Sequence, residues 1–327
     1  MVLTASPTSH PGSSEMTSVP AVQRVMGASV RIADRAAEII RGILRAGDLG
    51  IVQKTGINDL QTEADRSAQR CIVANLARQF PRLTIIGEEE PDDRPVPDDW
   101  IVESGADPRA ETLQCPEGLT GITEDQIVVW VDPLDGTKEF TQGLLDHVTV
   151  LIGIAAGGEP AAGVINQPYF NYQHPSEPQG RTIFGLRGGG VAGFEPRAPP
   201  ADSRIVTTTR SHSTGLVQSA LQALQPDQVL AVGGAGHKVM LLLEGRAHAY
   251  VFASPGCKKW DTCAPEAILT ALGGRLTDIH GVQLRYGADV QHMNATGVLA
   301  TAPGVEHDWY VQHIPADVRD GLKPKSG

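Results

Sequence analysis

The sequence predicts an α+β half followed by an α/β half. Three observations carry this: a long amphipathic helical segment near the start, apolar strand-like runs crowding the first half, and alternation of helix and strand in the second. With 327 residues, the chain can form two packed units with buried cores, at roughly 100 to 200 residues per domain. The Gly- and Pro-rich stretch 187–200 divides them. Units at residues 21–190 and 191–327 are therefore expected, behind a Ser/Thr/Pro-rich arm at residues 1–20 that is expected to be disordered.

The elements follow in order. Over residues 22–44, Val22, Val25, Met26, Ile32, Ala36, Ile39, Ile40 and Ile43 recur near helical spacing with Arg31, Arg35 and Arg41 between them, which predicts a helix packed by one face. A second helix is expected over 63–80, with Ala68, Cys71, Ile72 and Leu76 on one side and Pro81 as its stop. Residues 83–86 and 127–131 read as buried strands, each delivering carboxylates at its end: Glu88 and Glu89 after the first, Asp132 and Asp135 after the second. Residues 91–126 read as a long surface excursion with solvated charges. Later strands are expected at 148–155, 161–166, 182–186, 205–209, 247–252 and 274–279, and later helices at 214–224, 237–244 and 262–272.

Composition removes whole classes of function. Lysine and arginine number 27 against 38 acids, a net charge of −11 that would repel a polynucleotide. The four cysteines show no C-x-x-C spacing, which argues against a zinc knuckle or a disulfide framework. No run approaches the roughly 20 apolar residues of a membrane span. Residues 1–20 carry Glu15 and lack a basic stretch followed by an apolar one, so no secretory or organellar leader is expected. A cytoplasmic protein is expected.

The chemistry concentrates at V131-D-P-L-D-G-T-K-E-F140. A strand ending in Asp-x-x-Asp sets two carboxylates on one tight turn, where Pro133 fixes the backbone and Gly136 permits an unusual dihedral. Like charges that close call for a cation, and carboxylates without His or Cys suit a hard ion such as Mg²⁺. Taken singly, Asp261 reads as a helix cap and Glu88 as a strand-end charge. Together with Asp132 and Asp135 they could serve two metals.

The trio GEE at 87–89, WVDPLDGT at 130–137 and WDTCAPEAIL at 260–269 resembles the magnesium-dependent, lithium-sensitive phosphatases related to inositol monophosphatase and fructose-1,6-bisphosphatase. The stretches DPLDGTKEFTQGLLDHVTVLIGIA, GVINQPYFNY, TTRSHS, GGAGHK and VFASPGCKKWDTCAPEAIL are similar to its bisphosphate nucleotidase branch, and the likeness covers about residues 30–305. It implies a layered α/β/α/β/α sandwich with the site between the halves. It also implies one metal on Glu88, Asp132 and the Leu134 carbonyl, a second on Asp132, Asp135 and Asp261, and a water-activating pair in Asp65 and Thr137.

By the same resemblance, Gly136, Thr209, Ser211, His212, Gly234 and Lys238 surround the substrate. Basic residues would gather there as Arg210, Lys238, Lys258 and Lys259, while 89–103 would form a solvated acidic loop. The implied activity is Mg²⁺-dependent, Li⁺-inhibited removal of the 3'-phosphate of adenosine 3',5'-bisphosphate, with 3'-phosphoadenylyl sulfate as a further substrate. The partner is thus a small nucleotide bisphosphate, with neither polynucleotide nor membrane, and a monomer is expected. An inositol polyphosphate 1-phosphatase and a catalytically silent nucleotide sensor are the alternatives.

Overall fold

The computed structural model describes residues 19–54, 60–105, 107–174, 176–211 and 214–323. The expected arm at residues 1–20 lies outside them except for Val19 and Pro20. The chain runs α1 (Ala21–Ala46), β1 (Val52–Gln53), β2 (Leu60–Gln61), α2 (Glu63–Gln79), β3 (Thr84–Gly87), α3 (Pro108–Glu111), α4 (Glu117–Thr120) and β4 (Ile127–Asp135). It continues through α5 (Thr137–Thr141), β5 (Thr149–Ala156), β6 (Glu159–Gln167), β7 (Arg181–Leu186) and β8 (Gly190–Ala192). The remainder is β9 (Ile205–Thr209), α6 (Gly215–Leu224), β10 (Gln228–Val232), α7 (Ala235–Leu243), β11 (Ala249–Phe252), α8 (Lys259–Ala271), β12 (Arg275–Thr277), β13 (Val298–Thr301), α9 (His307–His313) and α10 (Ala316–Gly321).

Two sheets organise these elements. One has six strands in the order β3-β4-β5-β6-β7-β8 and the other five in the order β10-β9-β11-β13-β12. In the first, only β3 and β4 run parallel, so their C-terminal ends lie side by side. One apolar core fills the space between this sheet and the helices α1 and α2, through Val25, Ile32, Ile40, Ile72, Val129 and Ile152. A second core, with Trp130, Leu242, Tyr250 and Ile268, packs α7 and α8 between the sheets, and a third joins the outer face of the second sheet to α6, α9 and α10. The result is five layers in the order α/β/α/β/α. The change of sheet falls between Ala192 and Ile205.

The first helix ends where its pattern does, at Gly47, which takes a left-handed φ of 82° and returns its N–H to Ile43. In the excursion 91–126, α3 and α4 bury Ala110 and Leu119, and Leu113 is buried between them. Its charges are not simply solvated: Glu124 is buried against Arg24 of α1, and Asp107 is buried against Arg109, which also pairs with Asp34 of α1, so these ion pairs tie the excursion to the first helix.

Helix α8 lies close against β5 and β6, and glycine permits the approach. A Cβ on Gly163 would stand 2.3 Å from the Ala264 carbonyl oxygen, well inside van der Waals contact. Gly163→Ala must displace α8 and is expected to cost about 1–3 kcal/mol, read as a lower urea midpoint. A change within about 0.5 kcal/mol would mean the helix has room that this packing denies it.

Candidate active site

Residues three apart on a regular strand face opposite sides, so Asp132 and Asp135 converge only because β4 is irregular. Asp132 pairs with Leu151 and Asp135 with Thr149, so three steps along β4 match two along β5. The extra residue is a β-bulge containing Pro133 and Leu134. Gly136 then takes φ 89° and opens α5, a conformation costly for any residue with a side chain.

Each carboxylate is held. The Leu134 N–H donates to Asp132 Oδ1 at 3.1 Å. Asp135 accepts from the Thr149 hydroxyl at 2.7 Å and from the N–H groups of Ala235 and Gly236 at 2.8 Å each. Those peptides begin α7, so the GGAGHK segment positions Asp135 as well as bordering the cleft. Asp261, in the first turn of α8, accepts from the Lys258 N–H. One carboxylate oxygen from each of Asp132, Asp135 and Asp261 lies within 4.8 Å of the other two.

Glu88 approaches from the parallel strand, its N–H continuing the ladder to Val131 O at 3.0 Å. Lys54 Nζ lies 3.1 Å from Glu88 and 2.6 Å from Glu89. Glu89, expected in a solvated loop, is instead buried, accepting also from Gln61, while its N–H donates to Gln69. A buried carboxylate requires such partners. Lys54, Gln61 and Gln69 carried no motif that singled them out.

Burial and mutual repulsion raise the acids' proton affinities. Glu88 is pushed up to about 8 by burial, against the Lys54 charge and with help from Asp261. Asp261 rises to about 6 through burial and Asp135, and Asp132 lies well above its usual value through burial, Glu88 and Asp135. The Lys238 charge acts on Asp135, whereas the largest influences on Asp132 and Asp261 include no lysine or arginine side chain. An oxygen-only cluster with surplus negative charge fits a hard divalent cation.

Asp65 sits at the start of α2, fully buried rather than on the helix surface. Its Oδ2 accepts from the Thr62 N–H and hydroxyl in a capping box, and its Oδ1 accepts from the Thr137 hydroxyl at 2.9 Å. The same hydroxyl lies 3.1 Å from Leu134 O. Burial lifts Asp65 to about 6 despite the Thr62 hydrogen bonds.

A cavity of about 640 Å³ has Glu88, Asp132, Leu134, Asp135, Gly136, Thr137 and Asp261 in its lining, with Asp65 buried behind Thr137 rather than on the surface of the cavity. Thr209, Ser211, Gly234, Lys238 and Lys258 line it too, and His212 lies outside the described residues. Lys238 is buried beneath the wall, donating to Gly234 O at 2.8 Å over the Tyr250 ring. The expected basic cluster is only partly assembled. Lys259 turns inward to Asn294 at 2.6 Å, and Arg210 lies off the lining, bound to Glu139 at 3.1 Å and to Gln142. Helix phase explains Lys259: it follows Lys258 by one position and faces the core.

A model of the inositol monophosphatase family matches residues 21–318. The 3'(2'),5'-bisphosphate nucleotidase 1 of Mus musculus is 54% identical over 304 residues, covering 93% of this chain and 98% of that protein. The protein of the same name from Dictyostelium discoideum is 36% identical over 290 residues, 86% of this chain and 93% of its own. Among solved structures, the extragenic suppressor protein suhB from Bartonella henselae superimposes with a TM-score of 0.66 at 20% identity, covering 89% of this chain and 98% of that one.

Proposed function

The chain belongs to the inositol monophosphatase family, and from that membership we propose that it is a 3'(2'),5'-bisphosphate nucleotidase. It removes the 3'-phosphate of adenosine 3',5'-bisphosphate to give AMP and phosphate, and acts likewise on 3'-phosphoadenylyl sulfate. The observation that carries the chemistry is the triad Asp132, Asp135 and Asp261 in the cleft wall. Relatives that bear this name along nearly their whole length support the substrate.

Asp132, with Glu88 and the Leu134 carbonyl, would hold one Mg²⁺, and Asp132 with Asp135 and Asp261 a second. When bound, the cations supply positive charge for the phosphate oxygens and lower the pKa of nearby water. Thr137 receives the water's proton at Oγ1 while passing its own to Asp65 Oδ1, the acceptor at 2.9 Å. Asp65, with a pKa near 6, is then basic enough to accept a proton yet ionised at neutral pH. Thr209, Ser211, His212, Gly234 and Lys238 would surround the nucleotide, with Gly136 beside the phosphate.

In this reading residues 21–190 supply most of the metal ligands and 191–327 complete the site and bind the nucleotide. Four free cysteines support a reducing compartment, the cytoplasm. Among the described residues no helix is long and apolar enough to cross a membrane.

The test compares initial phosphate release from adenosine 3',5'-bisphosphate and from inositol 1,4-bisphosphate in Mg²⁺, with and without millimolar Li⁺. The nucleotide is expected to lead by about tenfold or more in kcat/KM, and Li⁺ to suppress its turnover. Faster turnover of the inositol bisphosphate would replace this reading with the polyphosphate 1-phosphatase one.

A further inference from the structure

Behind the wall that carries residues 233–238 lies a second cavity of about 380 Å³, and none of its lining residues lines the catalytic cleft. The loop before β5, the ends of β6 and β7, the turn at 170–174, strand β10 and one face of α7 border it. Two imidazoles, His147 and His237, stack there with ring centroids 4.7 Å apart. The Arg181 guanidinium lies 3.9 Å over the Phe170 ring. Both pairs give the cavity flat, polarisable walls.

His237 is 7% exposed, and its Nδ1, closed to solvent in this ring orientation, has no hydrogen-bond partner among the described residues. Burial, with His147 adding to it, keeps the ring neutral by drawing its pKa down to about 3. A neutral imidazole has one N–H and one bare nitrogen. Leaving either buried and unpaired is unfavourable, and a ligand edge carrying the complementary group recovers the loss once the ring turns that nitrogen toward the cavity.

Charge and size narrow the ligand. Arg181 pairs with Glu244, Arg246 lies 4.0 Å from the same carboxylate, and Asp146 completes the set. Two cations against two anions leave no surplus to attract a phosphate or an ammonium. Among the described residues, groups of three metal-capable side chains occur only at Asp132, Asp135 and Asp261, so a metal is not the occupant. The volume is within the usual range for small-molecule sites.

We propose that this cavity is a binding site, separate from the catalytic cleft, for an uncharged planar heteroaromatic molecule of purine size, its polar ring edge paired with His237. The two sites share a wall: His147 Nδ1 accepts from the Gly233 N–H at 3.2 Å, and the peptides just beyond Gly233 hold Asp135.

Adenine, uncharged at neutral pH, is the probe. It is titrated into the full chain while the imidazole Cε1–H NMR signals are followed, with and without saturating AMP. Leu230→Trp fills the cavity from β10, and His237→Phe keeps a flat ring but removes its nitrogens. Saturable shifts of His147 and His237 below about 10 mM adenine, persisting with AMP and weakened at least about tenfold in both variants, are expected. Phosphate release by Leu230→Trp is expected to match the parent. Shifts that AMP abolishes and Leu230→Trp leaves intact would place adenine in the catalytic cleft and overturn the proposal. No saturable shift at about 10 mM would mean the cavity holds water alone, and would overturn it too. Should either variant fail to fold, the other still locates the bound adenine.

Discussion

Asp132→Asn is expected to lower phosphate release from adenosine 3',5'-bisphosphate by at least about 10³-fold. Asp132 is the one carboxylate shared by both proposed cation positions, so no neighbour replaces it. The amide keeps the shape of the side chain and can still accept from the Leu134 N–H. It also removes a buried charge that repels Glu88 and Asp135. The metal-free variant should therefore be at least as stable as the metal-free parent at pH 8 while losing turnover. Lost activity accompanied by a collapsed thermal midpoint would point instead to a structural role for Asp132.

Magnesium should stabilise the protein strongly at alkaline pH and weakly in mild acid. Glu88, Asp132, Asp135, Asp261 and Asp65 all have folded pKa values above those of the unfolded chain. Their contribution to metal-free stability is thus fully present below about pH 4. It is lost as pH rises through the folded values, about 6 for Asp65 and Asp261 and about 8 for Glu88. His237 and His307, with pKa values held down to about 3 and about 4 by burial, act oppositely: their contribution is present above the unfolded histidine range and lost as pH falls. Comparing Mg²⁺-loaded with chelated protein at each pH cancels the histidines and isolates the carboxylates. The rise in thermal midpoint on adding Mg²⁺ is expected to be small near pH 5.5, where protons compete for the ligands, and several degrees larger near pH 8.5. A rise independent of pH would mean that Mg²⁺ binds elsewhere.

Much of this architecture is legible in the sequence because its signals are local. Residues 22–44 show helical spacing, and α1 occupies Ala21–Ala46. The expected strand at 205–209 coincides with β9. Strands β1, β2, β8, β10 and β13 escape sequence analysis because they are short, and β10, although it carries the apolar run 229–232, lies at a sheet edge with its side chains largely exposed, against what such a run suggests. Helices α9 and α10 lie in a polar tail with little amphipathic pattern, yet bury Tyr310 and Val318.

At the site, residue types were legible and their supports were not. The acids of the Asp-x-x-Asp turn stand out in the chain, but the bulge that turns Asp132 and Asp135 to one side depends on pairing with β5. The clamp on Asp135 from Ala235 and Gly236 spans a hundred residues. Lys54, just after β1, and Glu89, just after β3, are 35 residues apart and meet only in the folded chain. Long-range contacts of this kind leave no periodic trace.

On the proposed function, this acidic cleft uses divalent cations to remove one phosphate from a doubly phosphorylated nucleotide. Its most direct test is phosphate release from adenosine 3',5'-bisphosphate by chelator-treated protein before and after Mg²⁺ is restored, with AMP as the companion substrate. Negligible release without metal, recovery with Mg²⁺, and one phosphate released per bisphosphate while AMP stays intact are expected. Undiminished release without metal, or equal release from AMP, would contradict the proposed function.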